Sequence, residues 1–448
     1  MGQSPPSATY NYENEGLPFF QGKTDFGLIY PTKRVWCNEP KKIVNKDEIL
    51  LSVRAPVGPT NIALEKSCIG RGLCGLKYII DENSKFIFYF FRSIEKELSQ
   101  LGTGSTFQAI SKSQISNLKF PLPPLPEQHR IVAKLEELFT KLDVSVAELK
   151  KAKAQIKRYR QSVLKYAFEG RLTEQWRIAN GELRNETAEE LLAKIKKERK
   201  KALGKKYKEL PPVDTTNLPQ LPENWKWISL GEVTDINMGQ SPPGDSYNTF
   251  GDGVPLINGP VEFGDTPFSN TRAIKFTTKV TKMCKENDLI LCVRGSTTGR
   301  MNIAGQDACI GRGVASIRAY FYQPYINYYI HSIQIKIFDL GTGSTFPNVS
   351  FDVLKGIAIS ICSIKEQQQI VSEIERHFSV ADETEKIIDQ SLKQAERLRQ
   401  SILKDAFSGK LVPQDPSDEP AEKLLERIRA ERTKLTPAKK AKRDMKKK

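Results

Sequence analysis

The sequence predicts an α+β protein of two tandem mixed α/β domains, each followed by a long helix, with the two helices pairing as an antiparallel coiled coil. Three observations predict this fold class: a long internal repeat, a stretch rich in glycine, proline and aromatic residues at the start of each copy, and a heptad pattern at its end. Solenoid units are only about 20–50 residues long. The repeat is longer than that, so it is a duplicated domain.

The repeat is evident from short segments that recur at a nearly constant distance. LGTGSTF begins at Leu101 and again at Leu340, 239 positions later. The other recurring segments are GQSPP from Gly2 and Gly239, VR from Val53 and Val293, IGRG from Ile69 and Ile310, EQHRIVAKLEELF from Glu127 with EQQQIVSEIERHF from Glu366, and RQSVLKYAFEGRL from Arg160 with RQSILKDAFSGKL from Arg399. The residues between these segments diverge. One scaffold is therefore expected to carry two different recognition surfaces.

Composition shifts divide the chain into six parts. Short apolar runs such as EILLSVR and DLILCVRG, with turns rich in glycine and proline between them, predict strands within the globular parts. The expected order is a first domain shortened at its amino end (1–126), spacer helix 1 (127–170), a charged linker (171–217), a second domain (218–365), spacer helix 2 (366–410) and a basic tail (411–448). The first domain is expected to be shortened because only the second has a segment such as WKWISLGEVTDIN ahead of GQSPP.

A heptad pattern in each spacer helix predicts the coiled coil. The prolines of FPLPPLPEQ (120–128) end the first domain and permit a helix to start, and apolar or small residues then recur at steps of four and three. The helices should run antiparallel because the intervening second domain must return the chain. The predicted seam consists of Ile131, Leu135, Leu138, Leu142, Leu149 and Ile156 in the first helix and Ile370, Ile374, Ile388, Leu398 and Ile402 in the second.

The charge of the chain indicates a polyanionic partner. The formal net charge is +16 and the isoelectric point is near 9.3, which draws a protein to polyanions, most commonly nucleic acid. Part of this charge lies in KIKKERKKALGKKYK and KKAKRDMKKK, which are either solvated arms or phosphate contacts. No apolar stretch long enough for a membrane span and no signal region is present. We therefore expect a cytoplasmic protein without a membrane partner.

The residues that enzymes and metal sites need are not arranged as such sites require. Seven cysteines without a CxxC pair and three scattered histidines favour reduced, buried thiols over disulfides or a metal site. GTGST lacks the lysine of a phosphate-binding loop, and SPP lacks both the aromatic residue and the glycine-rich cofactor loop expected of an amino-methyltransferase. We predict no catalytic residues, no metal and no cofactor.

Arginines beside glycines are the main candidates for binding DNA. Arg54 and Arg71 recur as Arg294 and Arg312. Arginine can bind phosphate or read guanine through two hydrogen bonds, and glycine lets a backbone approach a duplex closely. Pairing with carboxylates inside each domain is the alternative, and the sequence leaves both open. The hydroxyls of the LGTGSTF segments are further candidates: Thr103, Ser105, Thr342 and Ser344.

The whole chain resembles the specificity subunit of type I restriction-modification systems. The resemblance rests on the paired LGTGSTF segments, the VR and CIGRG blocks, PLPPLPEQHRIVAKLEELF, and the two helix ends followed by a charged linker. It implies a non-catalytic subunit of a host-defence complex that methylates or cleaves DNA. Two target-recognition domains would each read half of a bipartite double-stranded DNA site, and the helices would set their spacing and dock two methyltransferase subunits. Restriction/translocase subunits would complete the complex.

Other functions are compatible with a basic repeat protein. One is a repeat scaffold that binds protein or another polyanion without reading DNA sequence, and another is an enzyme with an unrecognised site. Salt-sensitive binding to duplex DNA would argue against a scaffold that binds only protein. Activity of the isolated chain with S-adenosylmethionine or ATP would identify an enzyme. The shortened first domain adds a third alternative, a truncated inactive allele of the same family.

Overall fold

A computed structural model describes residues 1–79, 83–102, 108–180, 187–204, 207–342 and 347–445, with the backbone alone for residues 202, 203 and 435–445. The chain forms two compact units. Unit 1 contains Met1–Lys151 and Ile388–Lys448, and unit 2 contains Ala152–Ile387. Each of the two long helices begins in one unit and ends in the other, so each unit holds half of both helices.

Unit 1 begins with short strands, followed by short helices and then by the first half of a long helix. Its strands are β1 (Tyr10–Asn11), β2 (Leu17–Phe20), β3 (Trp36–Cys37), β4 (Ile43–Val44), β5 (Ile49–Ser52), β6 (Thr60–Ile62), β7 (Ser67–Ile69) and β8 (Leu73–Leu76). Its helices are α1 (Ser84–Ser93), α2 (Glu95–Leu101), α3 (Lys112–Ser116) and the start of α4 (Leu125–Phe168). The strands form a five-stranded sheet in the order β1-β3-β2-β7-β4 and a three-stranded sheet in the order β6-β5-β8.

The linker after α4 is largely helical in its described part. It contains α5 (Glu174–Ala179) and α6 (Ala188–Leu203). Helix α6 begins at a capping box, in which the Thr187 hydroxyl accepts from the Glu190 amide and the Glu190 carboxylate accepts from the Thr187 amide. Both linker helices belong to unit 2.

Unit 2 repeats the order of unit 1 and adds a segment at its start. The added segment is β9 (Lys226–Ser229), α7 (Leu230–Val233) and β10 (Thr234–Met238). It is followed by β11 (Tyr247–Asn248), β12 (Val254–Ile257), β13 (Lys275–Thr277), β14 (Met283–Cys284), β15 (Leu289–Cys292), β16 (Met301–Ile303), β17 (Ala308–Ile310), β18 (Val314–Ala319), α8 (Gln323–Ser332), α9 (Gln334–Asp339), α10 (Phe351–Gly356), β19 (Ala358–Ile361) and the start of α11 (Ile364–Phe407).

The two units share one strand order. The five-stranded sheet of unit 2 runs β11-β13-β12-β17-β14, and its central pair, β12 with β17, is parallel like β2 with β7 in unit 1. Strands β10-β18-β15-β16 form the second sheet of unit 2, which therefore has one strand more than its counterpart, and β19 pairs with β9. The predicted duplication of a mixed domain is confirmed. The segment WKWISLGEVTDI forms two strands joined by a helical turn.

Helices α4 and α11 have 44 residues each. Both end at a glycine with positive φ, Gly170 at 77° and Gly409 at 73°, the usual way in which a helix stops. The pairing within each unit is antiparallel. In unit 1, Asp143 near the middle of α4 meets Arg399 near the end of α11, and in unit 2, Arg160 near the end of α4 meets Asp382 near the middle of α11. Asp143 and Asp382 occupy equivalent positions of the repeat, and so do Arg160 and Arg399. The aspartate of the ion pair therefore lies on α4 in unit 1 and on α11 in unit 2.

The predicted seam residues differ in burial. Residues near the domains are buried, with Leu135, Ile370 and Ile374 fully enclosed. Leu398 is 50% exposed, because the adjacent Arg399 occupies the inward position and stacks over Phe139. Of the remaining seam residues, Ile131, Ile388 and Ile402 are buried and Leu138, Leu142, Leu149 and Ile156 are half-buried.

The domain cores bury part of the seam. Ile131 and Leu135 join a cluster with Ile49, Phe86 and Leu403, and Ile370 and Ile374 join the core of unit 2. The ends of both helices thus bury their apolar faces against sheets and helices of the domains as well as against each other. The middle of the seam depends on half-buried residues.

A helix, α12 (Ala421–Met445), follows α11. Its sequence repeats that of α6, with Leu424 in the place of Leu191. All seven cysteines are free and buried, among them Cys68 and Cys309 at equivalent positions of the repeat. Among the described residues, no helix is long and apolar enough to cross a membrane.

Candidate nucleic-acid interface

The recurring glycines of each unit bring two chain segments into close contact. A Cβ added to Gly2 would lie 2.2 Å from the Gly70 carbonyl oxygen, and one added to Gly239 would lie 2.2 Å from the Gly311 carbonyl oxygen. Any side chain at Gly2 or Gly239 would therefore collide with backbone. GQSPP and IGRG recur together because they pack against each other. The expected role of glycine was close approach of the backbone to DNA, and the structure gives these glycines an internal role.

The packed segments hold one arginine of each unit in a tight turn. The Leu73 amide donates to the Gly70 carbonyl at 3.0 Å, and the Val314 amide donates to the Gly311 carbonyl at 3.1 Å. Arg71 and Arg312 follow the first residue of these turns, and their amides donate to the hydroxyls of Ser4 and Ser241, each at 3.2 Å. The serine of each SPP motif thus fixes the backbone of an arginine.

The second arginine of each unit lies where a core strand ends. Arg54 follows β5 and is bridged to Ala109, and Arg294 follows β15 and is bridged to Asn348. Strands β5 and β15 are buried, which fixes the position at which these arginines leave the core. The Arg294 guanidinium also donates from Nε to Asn348 Oδ1 at 3.0 Å, an orienting contact that the sequence did not predict.

Backbone hydrogen bonds connect the two arginine-bearing turns. The Val53 amide, adjacent to Arg54, donates to the carbonyl of Gly72, adjacent to Arg71, at 2.9 Å. The Val293 amide donates to the Gly313 carbonyl at the same distance. The structure therefore brings together the two arginines that the sequence placed in separate motifs. It does so with the same geometry in both units.

The four arginines are available for a ligand. All are exposed, and none forms an ion pair with a carboxylate in the described part of the chain. Internal pairing, one of the two alternatives left open by the sequence, is not observed there. Thr342 is exposed and exchanges backbone hydrogen bonds with Asn348 at 3.1 Å, which places it beside Arg294. Thr103, Ser105 and Ser344 lie outside the described residues.

One ion pair with a buried carboxylate supports the strand that leads to Arg294. Asp288, 2% exposed, accepts two hydrogen bonds from the Arg318 guanidinium at 2.6 and 2.8 Å and one from the Lys285 amide. The hydrogen bonds to Asp288 raise the pKa of Arg318, so this guanidinium stays charged at all ordinary pH values. A paired and fully bonded carboxylate is tolerated in a core, and here it fixes the start of β15.

Glu366 connects the second long helix to the linker. Its carboxylate accepts from Arg177 Nη1 at 2.6 Å, Thr173 Oγ1 at 2.8 Å and Trp225 Nε1 at 2.9 Å. Arg177 also lies over the Trp225 ring, with 5.7 Å between the guanidinium carbon and the ring centroid. One buried side chain therefore holds α11, the linker and the added segment of unit 2 together. The repeat of EQ at Glu127 and Glu366 was the only sequence signal of this cluster.

Each unit thus presents two guanidinium groups on rigid turns, with amide and hydroxyl groups beside Arg294. Such groups bind phosphate oxygens or the O6 and N7 atoms of guanine. Within the described residues, no cluster of histidine, cysteine and carboxylate side chains could hold a metal ion.

A protein-family model gives the decisive comparison. The model of the type I restriction modification DNA specificity domain matches residues 7–156 and 222–394, one match for each copy of the repeat. The chain belongs to this family. It is therefore a type I restriction-modification specificity subunit with two target-recognition domains, as the resemblance implied.

Individual relatives agree with this assignment. The chain is 27% identical to the EcoBI specificity subunit of Escherichia coli over 418 residues, 87% of this chain and 80% of that protein. It is 27% identical to the EcoDI specificity subunit over 371 residues, 79% of each. A putative MjaX specificity subunit of Methanocaldococcus jannaschii is 42% identical over 173 residues, which span 38% of this chain and 40% of the relative.

Solved structures share the fold. A chain from a type I restriction-modification structure that addresses complex assembly and conformational transition superposes with a TM-score of 0.66 at 22% identity, covering 90% of this chain and 92% of that one. The HsdS subunit of Thermoanaerobacter tengcongensis superposes with a TM-score of 0.56 at 22% identity, covering 90% and 91%. The predicted fold class of two mixed domains with paired long helices is confirmed.

Proposed function

We propose that this specificity subunit is the non-catalytic DNA reader of a type I restriction-modification complex. Each target-recognition domain reads one half of a bipartite double-stranded site. Helices α4 and α11 set the spacing of the two halves and dock two methyltransferase subunits, and restriction/translocase subunits join to form the complete complex. The complex acts in the cytoplasm.

One observation carries the proposal: the same pair of exposed arginine turns occurs in both units, whereas the surrounding surface differs. Tyr12, at the β1–β2 turn of unit 1, is 76% exposed, and Phe250, at the β11–β12 turn of unit 2, is 83% exposed, with different neighbours in each. A common phosphate-binding frame with divergent contacts is what two readers of different half-sites need, because phosphate contacts position a protein and base contacts specify the sequence.

The surface of the helices supports the docking role. Val144 is 60% exposed on α4 and Val380 and Ile387 are 59% and 54% exposed on α11. Exposed aliphatic residues on a long helix are suited to burial against partner helices. The partners that fit the family are the methyltransferase subunits.

The decisive experiment is methylome sequencing of a methylation-free host that expresses this chain with the methyltransferase subunit of its system. We expect an asymmetric bipartite motif with a fixed gap. A motif with one half missing would show that one domain does not recognise its half of the DNA site. No sequence-specific methylation, together with salt-insensitive or absent binding to duplex DNA, would favour the protein-binding scaffold.

Arginine variants test the proposed DNA-binding turns by titration with duplex DNA. Arg54→Ala with Arg71→Ala should weaken duplex binding and reduce the slope of log K against log salt by about 0.9 for each phosphate that is no longer neutralised. Arg294→Ala with Arg312→Ala should do the same through unit 2. Arg34→Ala is the matched control, because Arg34 is also exposed in unit 1 but lies outside the two turns. Equal effects of the control and the double variants would contradict the assignment.

A further inference from the structure

The repeat makes each long helix a possible partner for its own kind. Helix α4 ends in RQSVLKYAF and α11 ends in RQSILKDAF, and both ends pack into the core of a domain. The α4 helix of a second copy of the chain could therefore take the place of α11 in unit 1, and the two copies would exchange helices. Such swapping of equivalent elements is a low-cost route to dimers. The helix pair has to select α4 with α11 over two copies of one helix.

The ion pair between Asp143 and Arg399 does not make this selection. Its equivalent in unit 2 joins Asp382 to Arg160. An antiparallel pair of two α4 helices would join Asp143 of one copy to Arg160 of the other. The same contact thus forms in both arrangements. Selection has to come from layers in which the two units differ, where a layer is one residue of α4 with the residue of α11 that faces it.

The first such layer is Lys153 with Glu385 in unit 2. Lys153 Nζ lies 3.6 Å from Glu385 Oε1, and the Arg160 guanidinium donates to Glu385 Oε2 at 2.8 Å. The equivalent layer of unit 1 consists of Val146 and Leu392, which are half-buried and line one cavity. This layer is therefore charged in unit 2 and aliphatic in unit 1.

The second layer is Tyr159 with His377 in unit 2. The Tyr159 hydroxyl oxygen lies 2.5 Å from His377 Nδ1, a hydrogen bond between the two helices, and the ring centroids are 5.9 Å apart. The equivalent positions of unit 1 hold Leu398 and Leu138. This layer too is polar in unit 2 and aliphatic in unit 1.

Both layers match within the chain and mismatch between copies of one helix. Mispairing sets a polar residue of unit 2 against an aliphatic residue of unit 1 at every one of these positions: Lys153 with Val146 and Tyr159 with Leu138 for two α4 helices, and Glu385 with Leu392 and His377 with Leu398 for two α11 helices. The polar group then loses its partner and the aliphatic side chain loses an apolar contact. By symmetry, each mismatch occurs twice in each mispaired set of helices.

We propose that these two layers make the helix surface selective, so that α4 accepts α11 and rejects the α4 helix of a second copy. Polar and charged residues at a helix interface set partner choice in coiled coils. Specificity is the difference in free energy between the intended and the competing pair. The aspartate–arginine pairs are common to both arrangements and do not contribute to that difference, whereas the two layers do.

The test uses two variants that make the layers alike in both units and keep them matched within the chain. In the first, unit 2 takes the residues of unit 1: Lys153→Leu, Glu385→Val, Tyr159→Leu and His377→Leu. In the second, unit 1 takes the residues of unit 2: Val146→Glu, Leu392→Lys, Leu138→His and Leu398→Tyr. Lys153→Arg with Glu385→Asp is the control, because it keeps the charges and therefore the mismatch.

Each full-length chain is unfolded, refolded at several protein concentrations and examined by sedimentation velocity. Lys150→Cys, added to every chain, reports the exchange of helices. Position 150 is exposed and would lie near its own copy in an antiparallel pair of two α4 helices. The seven natural cysteines are buried. A short bismaleimide that joins two chains at position 150 therefore identifies the mispaired arrangement.

We expect the unaltered chain and the control to remain monomeric, and both variants to form cross-linkable dimers with a dimerisation constant raised by about a hundredfold. A constant within about threefold of that of the unaltered chain, in either variant that refolds with native helix content by circular dichroism, would overturn the proposal. Cross-linked dimers of the unaltered chain in equal amount would do the same. The measurement needs no DNA, so its outcome is independent of the proposed function.

Discussion

Glu127 and Glu366 show how one residue type at one repeated position takes two physical states. Glu366 is satisfied by three donors, including the guanidinium of Arg177. Glu127 is equally buried but receives none from the described residues, with Arg130 acting only as a nearby charge that lowers its pKa less than burial raises it. Sequence identity at this position does not determine the electrostatics, because the donors come from segments that are not repeated.

The first prediction concerns this pair. A carboxyl group with a raised pKa in the folded state binds more protons when folded, so its contribution to stability falls as pH rises from the unfolded pKa through the folded pKa. Glu127→Gln should therefore raise the stability of unit 1 at pH 7 and have a smaller effect near pH 4. Thermal unfolding monitored at both pH values measures this difference.

Glu366→Gln is the matched control for that prediction. Removing its charge leaves Arg177, 13% exposed at its side chain, without its ionic partner, and should cost about 3 kcal/mol. A stabilising effect of Glu366→Gln, or a destabilising effect of Glu127→Gln at neutral pH, would contradict this account of the two carboxylates.

At the scale of elements, the long helices combine two kinds of packing. Their ends are buried in the domain cores, whereas their middle parts pack through half-buried residues and ion pairs. Arg160 contacts Asp382 and Glu385 at 2.5 and 2.8 Å, and Arg399 lies 4.5 Å from the centroid of the Phe139 ring. Exposed ion pairs contribute little, so burial at the ends should dominate the stability of the helices.

The second prediction compares two aliphatic residues four positions apart on α11. Ile402 is 9% exposed and Leu398 is 50% exposed. Ile402→Ala should lower the free energy of unfolding of unit 1 by about 2–4 kcal/mol, because it removes buried apolar surface and leaves a cavity. Leu398→Ala should change it by less than about 0.5 kcal/mol, as is usual at the surface. Denaturant titration of both variants measures the difference, and equal destabilisation would place Leu398 in the seam after all.

At the scale of the whole molecule, the proposed function makes helix length a determinant of the DNA site. A heptad adds about 10 Å to a helix at about 1.5 Å per residue, which corresponds to about three base pairs. Inserting a heptad in each helix at the midpoint of the pair, near Lys151 of α4 and Gln390 of α11, preserves their antiparallel register, because equivalent positions of the repeat face each other there.

The third prediction is that this double insertion lengthens the unread gap or abolishes methylation, as measured by methylome sequencing. An insertion in one helix alone is the control, because it breaks the register and should abolish methylation outright. An unchanged motif after the double insertion would refute the role of the helices as a ruler.

Much of the architecture could be predicted from the sequence, because repetition and heptad spacing are local properties that survive divergence of the residues between them. The offset of 239 between the LGTGSTF segments and the prolines before α4 were sufficient to predict two domains and two long helices. The seam was predicted less well. Leu398 follows the heptad spacing but is displaced from the buried face, since the inward position is taken by Arg399, whose aliphatic stem and guanidinium both pack on Phe139.

By itself, the sequence determined the duplication, the family resemblance and the identity of the paired arginines. Only the tertiary structure decided what those residues contact. Gly2 packs on Gly70 and Gly239 packs on Gly311. Backbone hydrogen bonds from Val53 and Val293 join the two arginine turns of each unit, and Glu127 lacks the donors that satisfy Glu366. The physical reason is that these contacts join segments tens to hundreds of residues apart. Their energy depends on which groups meet after the chain has folded, and a local pattern does not record that.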